Sequence, residues 1–320
     1  MNPLKVLRKK LLAPTLDAID RLGARLDDQL AEQSKQQLST SIELSRQRIG
    51  YFSTSKDELI AKIFSGAKMA LDTKDISFVP HLALDGIWEE PVTHAWLKVI
   101  KPHFTTFDIG ANFGYFGLLA AQQTHTQGSH TIFFEANTAL IPFINKTLSI
   151  NNYLEFSEIE NVAISDKKGS LRLHVLKDYV ASSSVHSLEH LNRYVGEKIT
   201  LKEDRLLDIP AISIDDYCKT KSIQKVNLIK MDIEGYEDVA YRGMKHTVLQ
   251  NDDITMFIEF TSASYKNPKL FYNEMLKDFG NVYLIADSGD LVKQVKNEYQ
   301  DIFSRSSDWV MLVFSKDPSL

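Results

Sequence analysis

Acidic side chains and one lysine follow apolar stretches of the chain, at the places where β-strands would end. Asp108 ends FTTFD, Glu135 ends TIFFE, and LIKMDIEG contains Lys230, Asp232 and Glu234. An extended backbone would place the last three side chains on one side of the chain. Because burial of such charges without partners is unfavourable, the pattern indicates one of three roles: an ion-pair network, orientation of a substrate hydroxyl, or binding of a cation.

A turn rich in glycine follows the first acidic residue, in the spacing D-x-G-x-N-x-G from Asp108 through Gly110 and Asn112 to Gly114. Glycine has no Cβ, so a ligand can approach such a turn closely. The G-x-G-x-x-G turn of nicotinamide enzymes differs, because Asn112 stands at its second glycine and Gly114 comes too early for its third. A carboxylate at position 108 would repel a phosphate and attract an ammonium or sulfonium. A purely structural glycine turn is the alternative.

Glu135 ends the next apolar stretch, and a carboxylate there can accept two hydrogen bonds from a ribose diol. The alternative is a solvated charge at the end of a strand. Glu259, after the later stretch MFIEF, could join the same site.

From Phe104 onward, stretches typical of strands and of helices alternate. Alternation of this kind predicts an α/β fold with a mostly parallel sheet and helices on both faces. Ligands of such sheets bind beyond the carboxyl ends of the strands, where the acidic residues fall. Residues 177–209 are polar and without clear periodicity, so we interpret them as an insertion, either a lid near the site or an ordinary surface loop.

Residues 1–50 predict a helical extension, and residues 51–100 a helical lead-in to a catalytic domain over 101–320. Leucine and isoleucine recur in heptads, which favours either a short coiled coil that joins copies through residues 12–38 or a single amphipathic helix. Residues 1–12 alternate apolar and basic side chains, so they could contact an anionic membrane surface or form a solvated helix end. Within the lead-in, we expect helices over Asp57–Leu71 and from Pro91 to about Ile100.

Composition excludes several classes of protein. The net charge of −5 gives no basic signature for nucleic acid. With a single cysteine, Cys218, the chain cannot form an intramolecular disulfide, which suits a reducing compartment. No apolar stretch is long enough to span a bilayer and no secretory signal is recognised. We therefore expect a cytoplasmic protein, with the inner face of the membrane as a second possibility.

The chain resembles the FkbM family of S-adenosylmethionine-dependent methyltransferases over about residues 86–260. The motifs that carry the resemblance are IWEEP at 87–91, FDIGANFGYFG at 107–117, FFEAN at 133–137, NVAISD at 161–166 and LIKMDIEGYE at 228–237. It departs from the family at Ala136, where a proline is common. The resemblance implies a Rossmann-like class I methyltransferase sheet, mostly parallel with an antiparallel C-terminal strand.

The resemblance also implies roles for single residues. Asp108, Gly110, Asn112 and Gly114 would line the methionine part of S-adenosylmethionine. Glu135 would bind the ribose, and Asn137, Asn161 and Ala163 would complete the cofactor site, the last two beside the adenine. Asp232, Glu234 and Glu237 would face the reacting end.

The implied reaction is O-methylation of a hydroxyl on a small molecule, glycan, glycolipid or related natural product. Asp232 or Glu234 would accept the hydroxyl proton and Lys230 would stabilise the developing oxyanion. His186 and His190 are alternative bases. Mg²⁺ bound by Asp232, Glu234 and Glu259 is possible chemistry but not the favoured one. A nicotinamide-dependent oxidoreductase and a catalytically silent scaffolding protein assembled through the N-terminal helix are the competing hypotheses.

Overall fold

A computed structural model describes residues 50–125, 129–176, 178–179, 182–187, 202–294, 309–317 and 320. The predictions of an N-terminal helix, of its coiled coil over 12–38 and of membrane contact through 1–12 lie outside the described residues. No helix among the described residues is long and apolar enough to cross a membrane.

The first described elements are three strands, β1 Tyr51–Ser55, β2 Glu58–Lys62 and β3 Lys68–Asp72, paired antiparallel in that order. The predicted helix over 57–71 is therefore wrong. Its apolar residues come in two short blocks, and Gly66 between them turns the chain at a φ of 88°. Two blocks joined by a tight turn suit a hairpin better than a helix, which needs one continuous apolar face.

Two helices follow, α1 Phe78–Asp85 and α2 Glu90–Val99. Asp75 caps the start of α1 from outside the helix, because its Oδ1 accepts hydrogen bonds from the amides of Ser77 (3.1 Å) and Phe78 (2.8 Å). The second helix confirms the helix predicted from position 91 to about 100. Only this part of the predicted helical lead-in over 51–100 is helical in the way we expected.

An eight-stranded sheet forms the centre of the protein, in the order β13-β12-β14-β11-β10-β4-β5-β6. The five strands from β11 to β6 run parallel, and β12, β13 and β14 pair antiparallel. This confirms the predicted α/β fold with its antiparallel C-terminal strand. The strands are β4 Thr105–Ile109, β5 His130–Phe134, β6 Ser157–Glu160, β10 Leu228–Met231, β11 Thr255–Phe260, β12 Asn281–Ile285, β13 Leu291–Lys293 and β14 Val310–Ser315.

Helices cover both faces of the sheet. The remaining helices are α3 Tyr115–Thr124, α4 Ile141–Ile150, α5 Ile214–Lys221, α6 Glu237–Arg242, α7 Lys245–Gln250 and α8 Pro268–Phe279. On one face Phe107, Ile229 and Met256 pack in a buried cluster with residues of α5 to α8. On the other face Trp96 of α2 packs edge-on against Phe257 of β11, with ring centres 5.1 Å apart. The parallel strands are consequently buried on both sides, as such sheets require.

A second small sheet pairs β7 Ala163–Ile164, β9 Glu203–Ile212 and β8 Gly169–Leu176. The predicted insertion over 177–209 therefore ends in a strand, since β9 begins at position 203. Sequence reasoning missed this strand because its outer side chains are polar or exposed, as Leu206 is at 44% exposure. The strand is fixed by pairing with β8 rather than by an apolar pattern of its own.

Close packing of α3 on β5 fixes the helix that follows the glycine turn. A Cβ added at Gly117 would lie 2.2 Å from Cε1 of Phe133, whereas one added at Gly169 would meet no atom within 4 Å. Gly117→Ala should therefore destabilise the protein through overpacking, which typically costs about 1–3 kcal/mol, although alanine offsets about 1 kcal/mol through helix propensity. Urea unfolding of both variants measures the difference. Equal midpoints for Gly117→Ala and Gly169→Ala would contradict this packing.

Candidate active site

The carboxyl ends of β4, β5 and β10 border one cavity of about 370 Å³. This size lies within the range of pockets that hold small molecules. The cavity is lined by most of the predicted site residues: Asp108, Gly110, Asn112, Glu135, Ala163, Lys230, Asp232 and Glu234. As predicted from the positions of the strand ends, the fold thus brings residues more than a hundred positions apart to one place.

The glycine turn is held against the loop after β10. Gly110 has a φ of 75°, and a Cβ added there would lie 1.8 Å from the carbonyl oxygen of Asp232. The amides of Gly110 and Ala111 both donate to the carbonyl oxygen of Phe134, at 2.9 and 3.0 Å. Glycine at this position therefore allows two backbones to meet at the floor of the cavity.

Glu135 joins this turn to the loop after β5. Its Oε2 accepts a hydrogen bond from the amide of Asn112 and its Oε1 accepts one from the amide of Asn137, both at 2.7 Å. Burial raises the pKa of Glu135 to about 7, although these amides act in the opposite direction. Each oxygen keeps a second lone pair for a ligand hydroxyl.

Asp108 is buried at the end of β4, where its Oδ2 accepts a hydrogen bond of 2.7 Å from the amide of Gly117. Burial raises the pKa of Asp108 to about 7, and nearby Lys230 opposes the shift. Lys230 is the register partner of Asp108 on the neighbouring parallel strand, so the two side chains lie on the same face of the sheet.

Lys230 is buried and paired with Asp232, with 2.8 Å between Nζ and Oδ2. Its Nζ also lies 4.5 Å from the ring centre of Phe116. Burial alone would lower the pKa of Lys230, but the negative charges of Asp232, Glu89 and Asp108 raise it. The lysine is therefore protonated at neutral pH.

Further carboxyl groups surround this ion pair. Glu234 and Glu259 line the cavity. Burial, followed by the charge of Asp232, raises the pKa of Glu234 to about 8 and holds the pKa of Glu259 well above its usual range. The cavity thus contains more acidic groups than cations, and part of its negative charge is suppressed by protonation.

Glu89 belongs to the same group, and sequence reasoning did not select it. It lines the cavity from the loop before α2, at a left-handed φ of 43°. Burial raises its pKa to about 7, with Lys230 opposing and Asp232 reinforcing the shift. The only sequence signal was its place in IWEEP, which the family resemblance had already included.

Three predicted cofactor residues support the cavity without being part of its wall: Gly114, Asn137 and Asn161. Gly114 precedes α3 at a φ of 84°. The Nδ2 of Asn137 donates to Oγ of Ser183, at 3.3 Å. The Nδ2 of Asn161 donates to the carbonyl oxygens of Glu135 (2.8 Å) and Ala136 (3.2 Å). The asparagines thereby fix the loop that carries the ribose-binding candidate, and direct contact between either of them and a cofactor stays a prediction.

Glu237 holds the loop after β10 and is not part of the cavity wall. Its Oε1 accepts hydrogen bonds from the amides of Ile233 (2.9 Å) and Gly235 (3.3 Å), and its Oε2 accepts one of 2.8 Å from the hydroxyl of Tyr265. In this structure Glu237 thus holds the loop through groups of the protein itself, and the expectation that it faces the reacting end stays a prediction.

The described part of the insertion contacts the site. Ser182, Ser183 and Ser184 line the cavity. Oγ of Ser184 donates to the carbonyl oxygen of Glu234 at 3.1 Å, and Nε2 of His186 lies 2.9 Å from the carbonyl oxygen of Gly235. His186 is thus engaged with backbone, and His190, the other alternative base, lies outside the described residues.

Asp232, Glu234 and Glu259 are the residues predicted for the alternative of a Mg²⁺ site. In the part of the chain that the structure describes, no three acidic, histidine or cysteine side chains converge as they would around a metal ion. The Mg²⁺ alternative therefore has no support in the arrangement of these residues.

Comparison with known proteins gives one family match. The family model described as "Methyltransferase FkbM domain" matches residues 108–286. Comparison with curated proteins finds no match.

Several solved structures are similar at low identity. A methyltransferase FkbM from Methylobacillus flagellatus shares 12% identity, with a TM-score of 0.41, over 86% of this chain and 58% of that one. A precorrin-6y C5,15-methyltransferase from Geobacter metallireducens shares 8% over 70% and 87%, with a TM-score of 0.37. A Pyrococcus abyssi tRNA (uracil-54, C5)-methyltransferase in complex with S-adenosyl-L-homocysteine shares 11% over 82% and 44%, with a TM-score of 0.40. These values are too low to transfer a residue's role to this chain.

The raised pKa of Asp108 predicts a dependence of stability on pH. The folded protein binds this proton with a pKa of about 7, and the unfolded chain binds it with the ordinary pKa of an aspartate, 3.8. Between pH 6 and 8 the folded state binds more protons, so the free energy of unfolding falls as pH rises, by about 1 kcal/mol from this group. Asp108→Asn should remove that part of the fall. Exposed Asp252→Asn is the control, and equal slopes in urea unfolding at several pH values for Asp108→Asn and wild type would contradict the assignment.

Proposed function

The chain belongs to the FkbM methyltransferase family, and from this premise we propose that it is an S-adenosylmethionine-dependent O-methyltransferase. The acceptor in this proposal is a hydroxyl of a glycan, a glycolipid or a related natural product.

The observation that carries the proposal is the excess of acidic groups in one cavity at the strand ends. Buried carboxylates without matching cations are unfavourable, so a ligand that brings positive charge gains from binding there. S-adenosylmethionine carries a sulfonium and an ammonium. A dinucleotide would instead bring a negatively charged pyrophosphate against Asp108 and Glu135, which counts against the oxidoreductase hypothesis.

The residues present fit this cofactor. The free lone pairs of Glu135 suit a ribose diol, and Asp108 provides negative charge for the methionine end. Gly110, Asn112 and Ala163 are available on the same cavity wall. Gly114, Asn137 and Asn161 would act indirectly, by holding the loops that carry these residues.

When bound, the cofactor supplies an activated methyl group, so the chain must position the acceptor hydroxyl and manage its proton. Lys230, fixed by its ion pair with Asp232, can stabilise negative charge that develops on the acceptor oxygen. Asp232 and Glu234 are candidates to receive the proton.

Features at the cavity support a sugar-like acceptor. Trp88 and Trp309 belong to its wall together with the hydroxyls of Ser182 and Ser183. Aromatic faces beside hydroxyl groups suit a polyhydroxylated ring that has both apolar and polar surfaces. The predictions of a cytoplasmic location, of membrane contact and of oligomers through residues 12–38 remain part of the proposal.

Wild-type protein should bind S-adenosylmethionine with a dissociation constant in the micromolar range, which calorimetry measures. Glu135→Gln should weaken binding roughly 10–100-fold, because hydrogen bonds to a charged group contribute more than neutral ones. Exposed Glu155→Gln is the matched control and should bind like wild type. Absence of binding by wild type at high cofactor concentration would reject the proposed function.

Asp232→Asn should retain cofactor binding and lose methyl transfer, because it releases Lys230 from the ion pair that positions it beside the developing oxyanion. The measurement is incorporation of a labelled methyl group into a panel of glycans and glycolipids, detected as a mass shift. Unchanged incorporation with the variant would remove Asp232 from the chemistry.

A further inference from the structure

Glu89 stands apart from the other carboxyl groups of the cavity in its hydrogen bonding. Its Oε2 is buried and has no hydrogen-bond partner among the described residues. By contrast, Oδ2 of Asp108 accepts from the amide of Gly117, and Oδ2 of Asp232 is bound by Lys230. A buried oxygen that accepts no hydrogen bond is unfavourable in an empty protein and is most simply explained by a ligand that donates one.

The backbone of Glu89 has a conformation that is unfavourable for a residue other than glycine. The residue has a left-handed backbone, which non-glycine residues rarely adopt and which clusters at functional sites. α2 begins at the next residue, and the carbonyl oxygen of Glu89 accepts a hydrogen bond of 2.9 Å from the amide of Thr93. The carboxylate therefore projects from a backbone that is fixed at the start of a helix packed on the sheet.

The charged and titratable groups that face Glu89 come from three neighbouring elements. They are Lys230 on β10, Asp232 in the loop that follows, and Tyr115 on α3, with Glu90 adjacent in sequence. The interactions of Glu89 with Lys230 and Asp232 place it among the residues assigned to the reacting end. At the ribose end, by contrast, the charge that acts on the pKa of Glu135 is that of Asp108.

Resting on the proposed function, we propose that Glu89 is the residue that takes the proton from the acceptor hydroxyl. The acceptor oxygen forms the new C–O bond to the methyl carbon, and the C–S bond breaks with its electron pair going to sulfur. The hydroxyl proton goes to the carboxylate of Glu89, which later releases it to solvent.

This assignment keeps the charge of the cavity constant through the reaction. Before transfer, a sulfonium faces an ionised Glu89; afterwards, a neutral thioether faces a protonated one. A carboxyl group with a pKa near 7 can serve both states, because a nearby cation favours its ionisation and loss of that cation favours its protonation.

Proton release on ligand binding tests the assignment without an acceptor. S-adenosylmethionine and S-adenosylhomocysteine share their ammonium and carboxylate and differ in the sulfonium charge. Calorimetry at pH 7 in buffers of different ionisation enthalpy gives the number of protons released by each ligand. We expect wild type to release more protons with S-adenosylmethionine, and Glu89→Gln to reduce this difference by up to about half a proton per site.

Matched variants distinguish a role of Glu89 in accepting the proton from a role in binding the ammonium of the ligand. Glu90→Gln changes the neighbouring carboxylate, which is not part of the cavity wall, and should leave the difference unchanged. Glu89→Gln should weaken binding of S-adenosylmethionine and leave that of S-adenosylhomocysteine within about twofold, which also confirms that the variant folds. Equal weakening of both ligands would instead assign Glu89 to the ammonium that they share and overturn the proposal.

Two other outcomes would also overturn it: equal proton release by the two ligands in wild type, or an unchanged difference in Glu89→Gln. Equal release by the two ligands in wild type would overturn the proposal even if that variant does not fold. Failure of wild type to bind either ligand would reject the proposed function itself, which is a different result from binding without the expected proton release.

Discussion

The structure depends on one buried cation. Lys230 lies on a central strand of the sheet, where burial alone would favour its neutral form, and it stays charged because acidic side chains from neighbouring elements surround it. Those acids in turn are tolerated because the lysine is there. Burial of the lysine without the acids, or of the acids without the lysine, would be unfavourable. The elements that carry these side chains must therefore assemble together. The sheet register supplies the central contact, since Lys230 and Asp108 are partners on adjacent parallel strands.

Protonation resolves the remaining imbalance. With several carboxyl groups and one lysine, the cavity holds protons on groups that would be ionised in water. These protons can be released when a cationic ligand binds. Hydrogen bonds from backbone amides decide which groups are committed to structure. Glu237 holds the loop after β10 with one oxygen and binds the hydroxyl of Tyr265 with the other, whereas Glu135 holds two loops and keeps acceptor capacity. Similar acidic residues thus differ in function because of where the neighbouring amides point.

The sequence was most informative where strand ends determine position. Asp108, Glu135 and the residues from Lys230 to Glu234 each follow an apolar stretch, and parallel pairing brings such ends to one edge. Glu89 escaped prediction because it comes from a loop ahead of the sheet, and its placement depends on how α2 packs on the sheet. The hairpin of β2 and β3 was mistaken for a helix for a similar reason. Its outer strand is stabilised by distant groups, among them the hydroxyl of Thr147, which accepts a hydrogen bond of 3.0 Å from the amide of Ala70.

The insertion is attached to the loop after β10 through main-chain atoms of that loop. Ser184 and His186 reach the carbonyl oxygens of Glu234 and Gly235, so the insertion supplies the side chains of both contacts and the loop supplies main-chain acceptors. Each contact therefore requires the hydroxyl or the imidazole that the insertion carries, while the loop contributes only its main chain at these two points. A change in the sequence of the insertion that kept these two side chains would keep the segment attached beside the acidic centre.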